Sequence, residues 1–334
     1  MAEYTASKTR YTETEGTDFY RHCGKSGLML PPIALGLWHN FGSVDNYENM
    51  KQMCFTAFDH GITHFDLANN YGPVYGSAEE NFGRILREEM SAYRDEMVIS
   101  TKAGYLMWDG PYGDWGSRKY LLASLDQSLK RMNLDYVDVF YSHRYDPEMP
   151  LEETLQALVD IVRKGKALYV GLSKYPLDAY LFACRYLKER DVPCLLYQGR
   201  YSMLVREPES QGILNAVKES GSGFVAFSPL AQGLLTNRYL NGIPDDSRIA
   251  RGGFLKKEAL TPEVLSKIQA LNERAAMRGQ SLAEMALAWL LKNETVTSVI
   301  VGASSVEQLG DSLKTLNHLS FEEEELHAIE KILM

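Results

Sequence analysis

Eight short apolar runs recur along the chain, at 33–37, 63–68, 97–102, 137–143, 167–173, 194–198, 223–229 and 296–302, each followed by a stretch with helical spacing. The runs are rich in β-branched and aromatic residues and alternate poorly, as strands buried on both faces do. Eight strand–helix units in one chain predict a (β/α)8 TIM barrel, an α/β fold, rather than an open sheet. Strand C-termini of such a barrel converge on one face, and chemistry is placed there.

The helices carry their own signals. Asp45 and Glu48 form a capping-box pattern before Met50, Met53, Cys54, Ala57 and Phe58, and Gly61 ends that helix. Ser77, Ser117 and Ser305 are expected to open the second, third and eighth helices, and Thr261-Pro262 the seventh. Pro176 suits the first turn of the fifth, and glycines at 165 and 221 suit the ends of the fourth and sixth. Three features stand outside the eightfold count: a hairpin within 19–30 that could plug the barrel bottom, and capped helices at 281–292 and 320–333. Residues 104–116 and 241–260 read as long loops on the C-terminal face, where length points to function. The chain thus divides into a flexible arm, 1–18, and a single barrel domain, 19–334.

Composition narrows the class. Hydrophobic residues make up 45% of 334, enough for a large core. The net charge of −9, with basic residues scattered, argues against nucleic acid and anionic membrane as partners. Cys23, Cys54, Cys184 and Cys194 show neither CxxC nor metal spacing, so they read as reduced thiols and no metal site is expected. With no apolar run near 18 residues and a polar N-terminus, a cytoplasmic protein is expected.

Asp66, Tyr71, Lys102 and His143 follow the second, third and fourth strand runs. An acid, a phenol, an ammonium and an imidazole therefore arrive from three successive strand ends. Carbonyl reduction needs a hydride donor and an acid, because negative charge builds on the oxygen as hydride reaches the carbon. A free phenol, pKa about 10, is a poor participant at neutral pH. A neighbouring ammonium is expected to lower it, and a buried carboxylate to keep that ammonium charged. Tyr71, Lys102 and Asp66 make a coherent relay on this reasoning, and His143 can orient the carbonyl oxygen. Two other motifs carry less. Gly24-Lys25-Ser26 lacks the first glycine of a phosphate loop, since Phe19 stands there. Gly221-Ser222-Gly223 precedes a strand where a dinucleotide loop should follow one.

The quartet, in this order, resembles the catalytic set of the aldo-keto reductases. The likeness extends to Ser173, Gln198 and Phe227-Ser228-Pro229-Leu230-Ala231-Gln232-Gly233 after strands five to seven, and to residues 301–308 at the last barrel helix. Residues 76–83, 134–138, 231–236 and Ser247-Arg248 are similar to one branch, the bacterial L-glyceraldehyde 3-phosphate reductases and the beta subunits of voltage-gated potassium channels. The resemblance implies an NADP cofactor (NADPH for reduction). Ser173 and Gln198 would hold its nicotinamide amide and Phe227 would stack on the ring. Trp38, Asp66, Ser228, Leu230, Gln232 and Gly233 would be further contacts. Arg238 and Arg248 would neighbour its pyrophosphate and 2′-phosphate, with Ser304, Gln308 and Ser312 near the adenine end. Three departures stand out: Asp311-Ser312 replaces a frequent Glu-Asn, Ala303 and Gln308 replace basic clamps, and Lys174 replaces a small polar residue after Ser173.

The activity implied is NADPH-dependent reduction of small aldehydes such as L-glyceraldehyde 3-phosphate, methylglyoxal or aryl aldehydes, in a chain that could form a homo-oligomer. Two alternatives are a cofactor-binding regulatory subunit, whose family members carry Asn in place of His143, and a Schiff-base aldolase using Lys102.

Overall fold

The computed structural model describes residues 4–12, 19–240, 242–244 and 255–334. A two-stranded antiparallel hairpin comes first, β1 (Arg21–His22) and β2 (Met29–Leu30). The barrel strands are β3 (Ile33–Gly36), β4 (His64–Asp66), β5 (Val98–Ala103), β6 (Val137–Ser142), β7 (Ala167–Ser173), β8 (Cys194–Arg200), β9 (Gly223–Phe227) and β10 (Val296–Val301). They close in sequence order, with β10 pairing β3, and every pairing in the ring is parallel. Each predicted run is thus a barrel strand, displaced at its ends by a residue or two. The helices are α1 (Tyr47–Asp59), α2 (Ser77–Ile85), α3 (Arg118–Met132), α4 (Leu151–Arg163), α5 (Leu177–Lys188), α6 (Glu207–Ser210), α7 (Ile213–Ser220), α8 (Pro262–Met277), α9 (Leu282–Leu291), α10 (Val306–Leu313) and α11 (Glu323–Leu333).

Strand parity sorts the core into two parts. Ala34, Val139, Tyr141, Val225 and Ile300 join one apolar cluster, whereas their chain neighbours Leu35, Phe140, Ala226 and Val301 join the larger cluster shared with the helices. Side chains alternate across a strand, so the first set fills the barrel and the second faces the helix ring. Cys23 and Leu30 of the hairpin belong to the inner cluster. The hairpin therefore closes the end of the barrel opposite the strand C-termini. Arg21 donates to the carbonyls of Leu291 and Val296, and the Lys25 N–H donates to Gly221 at 2.9 Å. A Cβ at Gly24 would lie 2.2 Å from the Gly221 oxygen. The two glycine motifs that suggested nucleotide loops are this one packing contact.

Several helix starts differ in detail: Pro176 stands at the α5 cap rather than in its first turn, and the α11 cap is Glu322 rather than Ser320. The α1 cap is Asn46, whose side chain accepts from the Asn49 N–H at 2.9 Å, while Asp45 turns back to accept from Gly42. Ser77 is the first residue of α2 rather than its cap, and its hydroxyl donates to the Val74 carbonyl at 2.7 Å. Ser117, Thr261, Ser281 and Ser305 cap their helices as expected. Of the N-terminal arm, Tyr4 stacks on Phe55 with ring centroids 4.0 Å apart and donates to Asp59. Residues 1–3 and 13–18 lie outside the described residues.

Candidate active site

Inward parity carries Ser100 and Lys102 of β5 into the barrel, in register with Asp66 of β4 and Tyr141 of β6. Lys102 is fully buried. Its Nζ donates to Asp66 Oδ2 at 2.6 Å, to the Leu67 carbonyl at 2.6 Å and to Tyr71 Oη at 3.3 Å. Asp66 Oδ1 accepts from Ser100 Oγ at 2.8 Å and from Gln198 Nε2 at 3.0 Å. Five residues from three strands and one loop thus form a closed network, and the phenol ends it at the barrel mouth. His143 follows β6, held by its N–H to the Ala103 carbonyl, and its ring lies edge-on to Tyr71, centroids 6.0 Å apart. The four residues separated by up to 77 positions in the chain meet here.

Burial governs the protonation states. It pushes the Tyr71 phenol well above its ordinary range, and the Asp66 carboxylate adds to that. The lowering expected from Lys102 does not decide the outcome: desolvation of the phenol dominates. Burial also lowers Lys102, opposed by Asp66. His143 falls well below 6.5 through burial and then through the charges of Lys102, Lys174 and Arg144. At neutral pH the site therefore presents a protonated phenol and a neutral imidazole. Since Tyr71 Oη accepts from Lys102, its own proton is left to point to the cavity.

That cavity, about 660 Å³, is lined by Trp38, Asn70, Tyr71, Tyr105, His143, Arg144, Lys174, Gln198 and Phe227 among others. Its size suits a small ligand beside part of a larger one. Ser173 is fully buried at the end of β7, in register with Gln198, and its Oγ has no hydrogen-bond partner among the described residues. An orphaned buried hydroxyl beside a carboxamide and a half-buried aromatic face fits the amide and ring of a nicotinamide. Ser228, Leu230, Gln232 and Gly233 form the turn after β9, where Ser228 and Gln232 take left-handed backbone, φ 53° and 59°. Arg238 is exposed beyond this turn. Arg248 lies outside the described residues. At the α10 start, Gln308 Oε1 accepts from Ser304 N–H at 2.7 Å and Ser304 Oγ at 2.9 Å, and Ser312 Oγ donates to the Gln308 carbonyl. This helix end is already occupied by its own side chain.

Sequence reasoning missed several parts. Ser100, within the third apolar run, and Asn69, just after the second, carry no role in that reading. Asn69 is buried and donates to Tyr120 Oη, which donates in turn to the Tyr105 carbonyl, tying the Tyr71 loop to the 104–116 loop. Arg144 sits next to His143, yet its stacking on Trp115 and its pairing with Asp114 depend on how the 104–116 loop folds back. No local pattern signals either.

The Aldo/keto reductase family model matches residues 32–334. The chain is 56% identical over 333 residues to the L-glyceraldehyde 3-phosphate reductase of Escherichia coli O157:H7, covering 98% of this chain and 95% of that protein. Identity to the protein of that name in strain K12 is 55% over the same length and shares. A probable voltage-gated potassium channel subunit beta of Arabidopsis thaliana is 36% identical over 304 residues, 89% of this chain and 91% of that protein.

Proposed function

The chain belongs to the aldo/keto reductase family, and from that premise we propose that it reduces small aldehydes using NADPH, with Tyr71 as proton donor. It is an oxidoreductase, and aldehyde reduction is its reaction. The observation that carries the finer reading is the Lys102 ammonium, bridging Asp66 and Tyr71 beneath the cavity that His143 and Phe227 line. Bound NADPH would supply the hydride. Ser173, Gln198 and Phe227 would hold its nicotinamide, with Trp38 as a further wall.

Tyr71 keeps its proton until oxygen becomes basic, then delivers it. The phenolate left behind lies 3.3 Å from the Lys102 Nζ, so the ammonium acts where charge develops rather than on the resting phenol. The neutral His143 imidazole would hold the carbonyl oxygen. A Schiff-base role for Lys102 fits poorly, because its Nζ is fully buried and already meets three acceptors.

A panel of L-glyceraldehyde 3-phosphate, methylglyoxal and aryl aldehydes, assayed with NADPH and with NADH, tests this reading. Oxidation of neither cofactor with any aldehyde would refute it. NADPH is expected to bind only about two- to fivefold more tightly than NADH, since a helix N-terminus contributes roughly 0.5–1 kcal/mol and Gln308 must first leave Ser304. Tryptophan fluorescence titration, with Trp38 in the cavity wall, reads both affinities, and equal values would count against the α10 start as a phosphate site.

His143→Asn is expected to lower turnover at least tenfold, because losing a well-placed donor to the developing oxyanion costs about 3–4 kcal/mol and a shorter amide recovers only part. NADPH affinity should stay within about threefold, well under 1 kcal/mol. Turnover at the unmodified rate would make His143 a structural residue.

A further inference from the structure

Two cations and one carboxylate line the cavity of a chain whose net charge is −9. The cations converge on one ring: the Arg144 Cζ lies 4.3 Å and the Lys174 Nζ 4.7 Å from the Tyr105 centroid. Arg144 commits Nε to the Gly104 carbonyl and Nη2 to Asp114, which leaves Nη1 to reach a ligand. Lys174 donates to Tyr105 Oη at 2.7 Å and pairs with no carboxylate among the described residues. Lys174 is exposed at the cavity edge, and partial desolvation by the surrounding rings, with the nearby Arg144, pushes its ammonium down to about 8. Its backbone is left-handed, φ 58°, a conformation that side chains with a Cβ rarely adopt. Like charges gathered on one ring, one of them without a counter-charge and on strained backbone, disfavour the free protein. An anion joining them removes the repulsion.

The position fits a substrate tail. His143 packs edge-on against the same Tyr105 ring, centroids 4.7 Å apart, and edge-on to Tyr71, centroids 6.0 Å apart. A molecule whose carbonyl sits at Tyr71 and His143 reaches the cations by crossing one aromatic ring. Resting on the aldehyde-reduction reading, we propose that Arg144 and Lys174 bind a phosphate ester carried a few atoms from the carbonyl carbon, so that the site selects short phosphorylated aldehydes over neutral ones. Lys174 is the specificity determinant, because Arg144 is already half-neutralised by Asp114.

The test compares glyceraldehyde 3-phosphate with glyceraldehyde in the same enzyme preparation with saturating NADPH. In Lys174→Gln the ratio of the two kcat/KM values should fall at least about tenfold, mostly through KM, and Lys174→Arg should restore most of it. An unchanged ratio, or an equal loss on both aldehydes, overturns the proposal. So does a loss of NADPH affinity beyond about threefold in Lys174→Gln, which would assign the lysine to the cofactor. If the unmodified enzyme reduces neither aldehyde, the activity reading fails by itself. Calorimetric titration of the NADP-saturated protein with glycerol 3-phosphate, which has no carbonyl, then still reads the anion site. Binding that weakens at least about tenfold in Lys174→Gln supports the proposal, and no binding to the unmodified protein overturns it.

Discussion

Tyr71→Phe is expected to lower kcat for aldehyde reduction at least about 100-fold, the contribution general acid catalysis typically makes. The substitution keeps the ring, and with it the neighbours Trp38 and His143, centroids 6.2 and 6.0 Å away. It also leaves the Lys102 ammonium satisfied by Asp66 and Leu67. Stability should therefore change by no more than about 1 kcal/mol, the net worth of one hydrogen bond. NADPH affinity should stay within about threefold, since Tyr71 is not among the residues expected to hold the nicotinamide. NADPH oxidation with glyceraldehyde 3-phosphate, fluorescence titration and a melting curve measure the three quantities. Retention of more than about a tenth of the turnover would remove Tyr71 as proton donor.

Lys102→Met should be as damaging to kcat, and the Tyr71→Phe/Lys102→Met pair hardly worse than either alone, because groups acting as one unit lose their joint effect once. Losses that multiply would separate the two residues. This change also strips the ammonium from a buried carboxylate. Breaking a buried pair from one side costs about 3–5 kcal/mol, so a marked fall in Tm is expected; Ser100 and Gln198, which still donate to Asp66, limit it. Adding Asp66→Asn to Lys102→Met should restore much of the melting temperature, since the uncompensated charge is gone, and none of the activity. Recovery of turnover in that double variant would show that the ammonium is needed only to neutralise Asp66.

The barrel was legible because its signal is local and repeated. Apolar runs such as 137–143 and the glycines at 165 and 221 mark strands and helix ends within a few residues of chain, and eight repeats of that pattern leave little else to form. Parity then follows from the strand itself: once β5 is a strand, Ser100 and Lys102 share a face. The quartet could be picked out for the same reason, as each member stands at a strand end and the strands come in order.

Cap choice was less certain, because Asp45 and Asn46 are chemically equivalent candidates and only the fold of the Gly42 turn decides which one faces the helix. The α10 start shows the same limit: a free helix N-terminus in the sequence is one that Gln308 closes in three dimensions.

By itself, then, the sequence determined the eightfold alternation, the inward parity and the identity of the residues at the strand ends, since each depends on spacing along one element. Ring closure decided the rest. It brought Gln198 of β8 onto Asp66 of β4, 132 positions away, and gathered Arg144 and Lys174 on the one ring of Tyr105. It also set the phenol's proton affinity, because desolvation is a property of the surrounding packing, and Tyr71 is raised by burial where its charged neighbour alone would have lowered it.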